Sequence, residues 1–511
     1  MTFTHRDLGA SEVVDALTEA DLELDGTDAT TVAVTLLDTF DGRLHADGLR
    51  LVLREGTERE LVLVGADEAP PAHLVWSGPA PQRDHDLPPG PFGARVAGPL
   101  AERALLPVVA VRSSCRQVVG RDGRGKAVVT LLVHDRPATA EPDAALPGVV
   151  VEVRGLLGHG TEVDRAVRHL ERLGFERHDG DLVDLALQAA GRSAEGFSSS
   201  PTVPLDPADD ALDAVRAVLR NLLDTVEANL PGTLDDLDPE FLHELRVAVR
   251  RTRSVLSETK KVLPHEVRDR FRTGFGELGA ATGRTRDLDV YVLGWGDLVA
   301  TLDASDRAAV QPLLDALDAD RRRAQAKMAR VLSSTRTAGL LADWRAWLDD
   351  AEVEPDSRSR TVGDVIASRI DRAQSVLLDE GRAITPDSPA EALHDLRKDA
   401  KKLRYLLECF GSLFPAPPRK AFVGQLKALQ DNLGTFQDLE VQINELRELA
   451  HVLHSRSGTS ADTLLATGRL IDHLEQARHR ERDDFVDRFA AYDTSDNRRR
   501  LADLLATVEG S

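Results

Sequence analysis

Cysteine is nearly missing from this 511-residue chain: only Cys115 and Cys409 occur, far apart. That excludes a disulfide framework and a cysteine-based zinc site, and it fits a reducing compartment. Aromatic residues make up only 4%, so the core must be built mainly from Leu, Val and Ala. No uninterrupted apolar run reaches the roughly 18–20 residues needed to span a bilayer. The opening MTFTHRDLGA has no basic start followed by an apolar stretch, which reads as the absence of a secretory signal. A cytoplasmic protein with no membrane partner is therefore expected. Lysine is scarce too, with nine in all, eight of them after residue 259.

What is present is a globular composition. Hydrophobic residues are 42% and charged residues 29%, which excludes disorder throughout. At about 100–200 residues per domain the length predicts two to four domains. The net charge of −22 argues against indiscriminate DNA binding. The scarce lysines nevertheless gather: Lys260, Lys261, Lys398, Lys401, Lys402 and Lys420 fall close to two arginine-rich segments.

The chain reads as an α+β multidomain protein. Residues 1–190 carry Val/Leu-rich, partly alternating runs at 30–39, 48–55, 59–65, 105–119, 126–135 and 148–155, the pattern of antiparallel strands. The Gly-rich run at 121–126 reads as a hairpin loop, and the Pro-rich stretch 66–104 as irregular. An amphipathic helix is predicted over 162–175. Residues 191–208 are rich in Gly, Ser, Pro and Asp and read as a linker. From 209 to 511 the period becomes 3.6 and no strand is predicted.

The second half repeats itself. HELRVAVRRTRSVL (243–256) aligns with HDLRKDAKKLRYLL (394–407), and FGELGAATGRTRDLDV (275–290) with LKALQDNLGTFQDLEV (426–441), both at an offset of 151. Two copies of one helical unit, about 209–350 and 360–511, are therefore expected to face each other across a pseudo-twofold. A fainter match joins 320–332 to 473–485.

On a helical wheel at about 100° per residue, His243, Arg246, Arg250 and Arg253 form one stripe about 80° wide. His394, Arg397, Lys401 and Arg404 hold the same offsets in the second copy, and Arg251 and Lys402 widen the positive surface. The apolar stripe of Leu242, Leu245, Val249 and Leu256 lies only about 100° away, whereas a plain solvent face would sit opposite the core. Such cations belong on the shoulder of the core, as walls of a groove. Like charges repeated on one helix face cost about 0.2–0.5 kcal/mol per pair, so an anion is their natural compensation. Arginine matches phosphate oxygens with a planar fork, and lysine offers a point charge. Neighbouring cations about 4.5–6 Å apart along each helix suit a linear polyanion. Metal ligation by His243 and His394 is disfavoured among so many positive charges, so neither a metal nor another cofactor is expected.

A second shared element, G-x-x-[RQ]-D-L-[DE]-V, pairs Gly283, Arg286, Asp287 and Asp289 with Gly434, Gln437, Asp438 and Glu440. Three readings stay open. The Gly ends one helix and the Asp caps the next; Asp287 or Asp438 orients the stripe cations by ion pairing; or the acids bind a metal. Arg284 and Arg286 are additional candidate anion contacts in the first copy.

The duplicated H-x-L-R-x3-[RK]-[RK]-x-R-x2-L helix, followed by G-x-x-x-D-L-[DE]-V, resembles the CHAD family, the conserved histidine α-helical domain, over about 209–511. The resemblance implies two pseudo-symmetric four-helix bundles around a basic pore or groove. It also implies binding of inorganic polyphosphate, often on polyphosphate granules, in place of catalysis. Residue by residue it points to His243, Arg246, Arg250, Arg253, His394, Arg397, Lys401 and Arg404. Gln437 departs from the Arg of the first copy. Residues 1–190 resemble, more weakly, the CYTH family, a β-barrel tunnel that hydrolyses triphosphates with Mg²⁺. The match rests on LLDTFDGRLHADGLRLVLRE (36–55), with LLPVVAVRSSCRQVV and VVVEVRG.

Alternation puts Arg50 and Arg54 on one strand face, and Arg112 and Arg116 on another. Together these four could make a phosphate tunnel. The CYTH signature E-x-E-x-K is absent; DLELDG (21–26) offers Glu23 and Asp25 but no lysine. Metal-assisted phosphoryl transfer needs carboxylates to hold Mg²⁺ and cations against the developing charge, so the expectation is a non-catalytic relic. Polyphosphate binding thus leads, with a Mg²⁺-dependent triphosphate or polyphosphate hydrolase as the alternative. Nucleic acid comes last as a partner, because Tyr405 is the only aromatic in either stripe segment and single strands are usually held by stacking.

Overall fold

The structure is a computed structural model. It describes every residue except 19–22, 66–70, 122–124, 142–143, 157, 200–201, 351–359, 456–458 and 509–511. The chain divides into two compact units, Met1–Ser198 and Ser199–Ser511.

The first unit is an antiparallel sheet with helices packed on it. Its strands are β1 (Thr2–His5), β2 (Glu23–Gly26), β3 (Thr30–Asp38), β4 (Leu49–Glu55), β5 (Arg59–Gly65), β6 (Ala72–Val75), β7 (Leu106–Arg121), β8 (Ala127–Thr139), β9 (Val149–Gly155) and β10 (Glu176–His178). Its helices are α1 (Ala10–Thr18), α2 (Arg43–Ala46), α3 (Pro91–Leu100), α4 (Gly160–Arg172) and α5 (Leu182–Ala189). The strand order is β10-β1-β9-β8-β7-β3-β4-β5-β6, with β2 also paired to β7. Among the described residues the path stays open, since no pairing joins β10 to β6.

The long strands coincide with the Val/Leu-rich runs. The Pro-rich stretch differs from expectation: α3 forms there because Pro91 sits at its first turn, where a missing N–H costs nothing. Residues 122–124 of the expected hairpin loop lie outside the described residues, as do 21–22 of DLELDG. The backbone of Glu23 and Asp25 runs in β2, opposite Arg121 and Val119.

The second unit is all helix: α6 (Ala211–Leu234), α7 (Pro239–Glu258), α8 (His265–Ala281), α9 (Gly283–Leu293), α10 (Trp295–Ala300), α11 (Ala304–Ala309), α12 (Gln311–Leu332), α13 (Thr335–Asp349), α14 (Val362–Ala383), α15 (Ala390–Cys409), α16 (Ala416–His454), α17 (Ala461–Tyr492) and α18 (Ser495–Ala506). The starts of α14, α15 and α16 each fall 151 residues after those of α6, α7 and α8, so the offset found in the motifs sets the element order too. The fainter matching segments fall on α12 and α17.

Asp238 caps α7, accepting from the N–H groups of Glu240 and Phe241 at 2.9 and 3.2 Å, and Pro239 follows at the first helical position. Gly232 of α6 lets the Phe241 ring lie where a Cβ would stand, which closes the α6–α7 pair. Both repeats bury side chains in one continuous apolar core, with Leu219, Leu245, Phe275, Leu396 and Phe422 among its members. A second core joins Leu288, Tyr291 and Leu313 to Ile443 and Leu470.

Candidate functional site

Helices α7 and α15 meet as an antiparallel pair. Arg251 Nη2 of α7 donates to Glu408 Oε2 of α15 at 2.7 Å. Equivalent residues of the two repeats also find each other. Arg250 and Lys401 lie close enough for their charges to interact, as do Asp287 and Asp438. Tyr291 donates its hydroxyl hydrogen to the carbonyl of Gln442 at 3.0 Å. Each of these pairs is separated by 151 positions, and only residues beside a twofold axis meet their own counterparts. The stripes of both helices therefore face one groove.

Lys401 sits at the groove's centre. Burial, then the neighbouring Arg397 and Arg250, lower its proton affinity to about 7, with Asp438 opposing and Arg404 adding to the effect. Arg246 is half-buried. It donates from Nη1 to the Gly279 carbonyl at 3.0 Å and to Thr282 Oγ1 at 2.7 Å, and burial together with Arg250 depresses its proton affinity. Arg397 reaches Asp438 Oδ1 at 3.2 Å. Arg404 lies 3.4 Å from Glu408 and over the Tyr405 ring. The Nε atoms of Arg246, Arg250, Arg397 and Arg404 are buried without a hydrogen-bond partner. Arg253 is exposed and lies over Gly276 and Gly279 of α8.

The two histidines stand one turn before Arg246 and Arg397. His394 Nδ1 is 2.6 Å from Gln437 Oε1, so Gln437, where the second copy departs from the first, fixes the imidazole. His243 is half-buried at the corresponding place. Arg286, the counterpart of Gln437, is half-buried and its charge acts on Arg246; its Nη1 points at the Pro239 carbonyl, 3.5 Å away.

Several residues are committed elsewhere. Arg251 widens no open surface: its side chain is 16% exposed and spans the two repeats to Glu408. Lys402 pairs with Asp399 at 2.5 Å and lies about 100° round α15 from Lys401, away from the groove. Arg284 is held by Glu445 and Asp320.

The shared G-x-x-[RQ]-D segment is also corrected. Glycine does not end a helix in the second copy, because α16 runs unbroken through Gly434. In the first copy Gly283 opens α9 and Asp287 lies in its second turn, past any capping position. What the glycines do is common to both: a Cβ on Gly283 would stand 3.8 Å from Arg246 Nη1, and one on Gly434 3.7 Å from Arg397 Nη2. They leave room for the same guanidinium of each stripe. The ion-pairing reading of the aspartates matches the observed geometry, since Asp438 holds Arg397. Burial raises the Asp287 carboxyl, and Arg246 opposes the rise.

Glu408 is the groove residue that the sequence reading missed. It stands at i+4 from Arg404, at about 320° on the wheel and so within the stripe, and that spacing could have flagged it.

The first unit has its own cavity of about 270 Å³, lined by Val34, Val52, Arg54, Cys115, His134, Glu152, Arg154 and Asp181, among others. Arg54 faces it as expected. Arg50, on the same face of β4, is drawn to Asp181 at 2.7 Å and Asp184 at 3.1 Å. Arg112 and Arg116 do not join them. Ser113 pairs with Val32 and Cys115 with Thr30, and Val32, Thr30 and Cys115 line the cavity, so the even-numbered residues of this part of β7 point to the opposite face. Alternation showed that the two arginines share a face, but only the cross-strand register shows which face.

The cavity's own cations are neutralised: Arg154 binds Glu152 at 2.7 Å, and Arg54 lies 3.7 Å from Glu60. Burial raises the Asp181 carboxyl, with Arg50 opposing. Glu152 and Asp181 are thus spent on guanidiniums, and that donor set does not fit a divalent cation. Among the described residues no group of three or more His, Cys, Asp or Glu is placed to hold a metal, and no helix is long and apolar enough to cross a membrane.

Residues 217–447, which carry the whole groove, match the family model of the CHAD domain. The chain contains a CHAD domain. Solved structures similar to it include the CHAD domain of the plant Ricinus communis, at 24% identity over 57% of this chain and 96% of that one, TM-score 0.48. PptA from Streptomyces chartreusis aligns at 17% identity over 55% of this chain and all of that one, TM-score 0.45. The PH1819 protein from Pyrococcus horikoshii OT3 aligns at 13% identity over 37% of this chain and 98% of that one, TM-score 0.24. A search of curated proteins finds no match. The matched span lies within the helical unit and includes both stripe helices, α7 and α15.

Proposed function

We propose that the CHAD domain binds inorganic polyphosphate in the groove between α7 and α15. The observation that carries this reading is the setting of Lys401, which meets three guanidiniums, Arg250, Arg397 and Arg404, against one carboxylate, Asp438. A protein gathers four cations from two repeats at such cost only where an anion offsets their repulsion. A chain of phosphates supplies one charge per unit along the length of both stripes, and buried guanidinium Nε–H groups find acceptors in its oxygens. The ligand contacts proposed are His243, Arg246, Arg250, Arg253, Arg286, His394, Arg397, Lys401 and Arg404. The function is one of binding, with the protein placed on polyphosphate granules, and the sheet unit is a CYTH-like, non-catalytic companion joined through residues 191–208. Its cavity arginines already have carboxylate partners, which removes the motive for a phosphate there.

Calorimetric titration of the full chain with long-chain polyphosphate tests this. Tight binding is expected, weakening steeply with added salt as counterions are released. Charge reversal at both Arg250→Glu and Lys401→Glu is expected to lower that affinity at least about a hundredfold while far-UV circular dichroism stays native. Unchanged binding by that double variant would assign the ligand to some other surface.

A further inference from the structure

A second basic surface lies on the CHAD unit, away from the groove. Two adjoining clefts of about 330 and 590 Å³ share Glu258, Lys261, Arg369 and Arg372. Lys260 and Lys402 complete the smaller one. Three separate elements supply these cations: the turn after α7, the middle of α14, and the face of α15 turned away from Lys401. Lys260 and Lys261 follow the C-terminus of α7, where the helix dipole favours positive charge. Arg369 and Arg372 have no such reason, since they lie seven and ten residues into the 22-residue α14.

The acids nearby are few or already placed. Asp399 is bound to Lys402, and Asp364 occupies the first turn of α14, where it complements that helix's dipole. Glu258 and Asp371 remain on the walls. No ion pair holds Lys260, Lys261, Arg369 or Arg372 among the described residues. Elsewhere on this unit the exposed Arg382 pairs with Asp493 and Arg336 with Glu277. Four unpaired cations around one concavity stand out against a net charge of −22.

We infer that this surface is a second phosphate-binding site, which holds a further stretch of polyanion on the side of the α7–α15 pair away from the groove. The identity of the anion rests on the polyphosphate reading above; the cluster of cations by itself calls for a multiply charged anion. Long chains of phosphate and short ones provide the same oxygens, so length distinguishes them: a tripolyphosphate fills one cleft, whereas a long chain reaches both surfaces.

Four full-length proteins decide it: the native chain, Lys261→Glu with Arg372→Glu, Arg250→Glu with Lys401→Glu, and the neutral pair Lys261→Gln with Arg372→Gln as a milder control for folding. Each is titrated calorimetrically with long-chain polyphosphate and with tripolyphosphate at several salt concentrations. The Lys261/Arg372 reversal is expected to weaken long-chain binding about tenfold and to flatten the slope of log K against log salt by about 1.5, at roughly 0.7–0.9 per lost contact. The neutral pair is expected to shift both in the same direction by less. Long-chain affinity and slope unchanged in both Lys261/Arg372 variants, while the Arg250/Lys401 variant loses binding, overturns the second site and leaves the groove standing. The opposite pattern overturns the groove and keeps this site, and unchanged binding in every variant overturns both.

Discussion

Arginines in the two units differ in how far nearby carboxylates balance them. On the sheet, Arg50, Arg54 and Arg154 each point at a carboxylate, so the cavity they border approaches neutrality. In the groove, Arg397 and Arg404 also have a carboxylate nearby, Asp438 and Glu408, but cations outnumber acids: Lys401 faces Arg250, Arg397 and Arg404 against Asp438 alone. Cation content alone does not mark an anion site. What marks one is cation content that the protein leaves uncompensated, because unpaired like charges are costly and persist where something outside the chain offsets them.

The sharpest way to break that contrast is to reverse the uncompensated charge. Charge-assisted hydrogen bonds contribute about 1.5–3 kcal/mol each, and each 1.4 kcal/mol is about tenfold in affinity. Arg250→Glu with Lys401→Glu is therefore expected to lower polyphosphate affinity at least about a hundredfold. A smaller loss than tenfold would mean that the crowded cations serve the α7–α15 packing alone.

Supplying or removing compensation should tune the groove in the other direction. Glu408 neutralises Arg251 and lies beside Arg404. Glu408→Gln frees both guanidiniums, so affinity for polyphosphate is expected to rise about threefold to tenfold. The same change turns a partly buried, charge-assisted bond between repeats into a neutral one, at a cost of about 1 kcal/mol, and the melting temperature should fall by about 2–4 °C. A drop in both affinity and melting temperature would show that Glu408 shapes the groove more than it neutralises it.

The sequence made the helical unit legible because its signals were redundant: one offset of 151 governs the motifs and the starts of α14, α15 and α16. The inward stripe was legible for a related reason, since Arg250 and Lys401 lie on a face fixed by the adjacent apolar positions. Three things were hidden. The face of Arg112 and Arg116 depended on pairing with β3, which no local pattern encodes. The glycines at 283 and 434 read as helix ends because their true neighbour, a guanidinium, comes from another helix. Arg251 and Lys402 read as groove surface because a wheel shows angle but not the carboxylate waiting at that angle.

Crowding of like charge also predicts a proton. Lys401 titrates near 7 where an exposed lysine titrates near 10.5. Between those values the unfolded chain holds the proton and the folded one does not, so stability is lowest below pH 7 and rises as pH climbs from about 7 toward 10.5. Polyphosphate beside Lys401 reverses the preference, so binding at about pH 8.5 should take up as much as about one proton, and affinity should fall as pH rises above 7. Arg250, Arg397, Arg404 and Asp438 are the charges that face this amine. Calorimetry in buffers of different ionisation enthalpy measures the uptake, and Lys401→Arg should remove it while keeping the ligand. Uptake that persists in Lys401→Arg would place the titrating group elsewhere.

The compensated side of the comparison predicts almost no effect. Arg54→Gln with Arg154→Gln removes two cations from the sheet cavity without touching the CHAD domain. If Glu152 and Glu60 are the partners those arginines serve, affinity for polyphosphate should stay within about twofold, less than about 0.4 kcal/mol. Stability is the measurement that should move, because Glu152 is left largely buried without its guanidinium, and an unpaired buried carboxylate is costly. A thermal melt should therefore register the double variant while the titration does not. A large loss of affinity with an unchanged melt would instead put a phosphate in the sheet cavity, and pairing with carboxylates would no longer separate an idle arginine from one that binds.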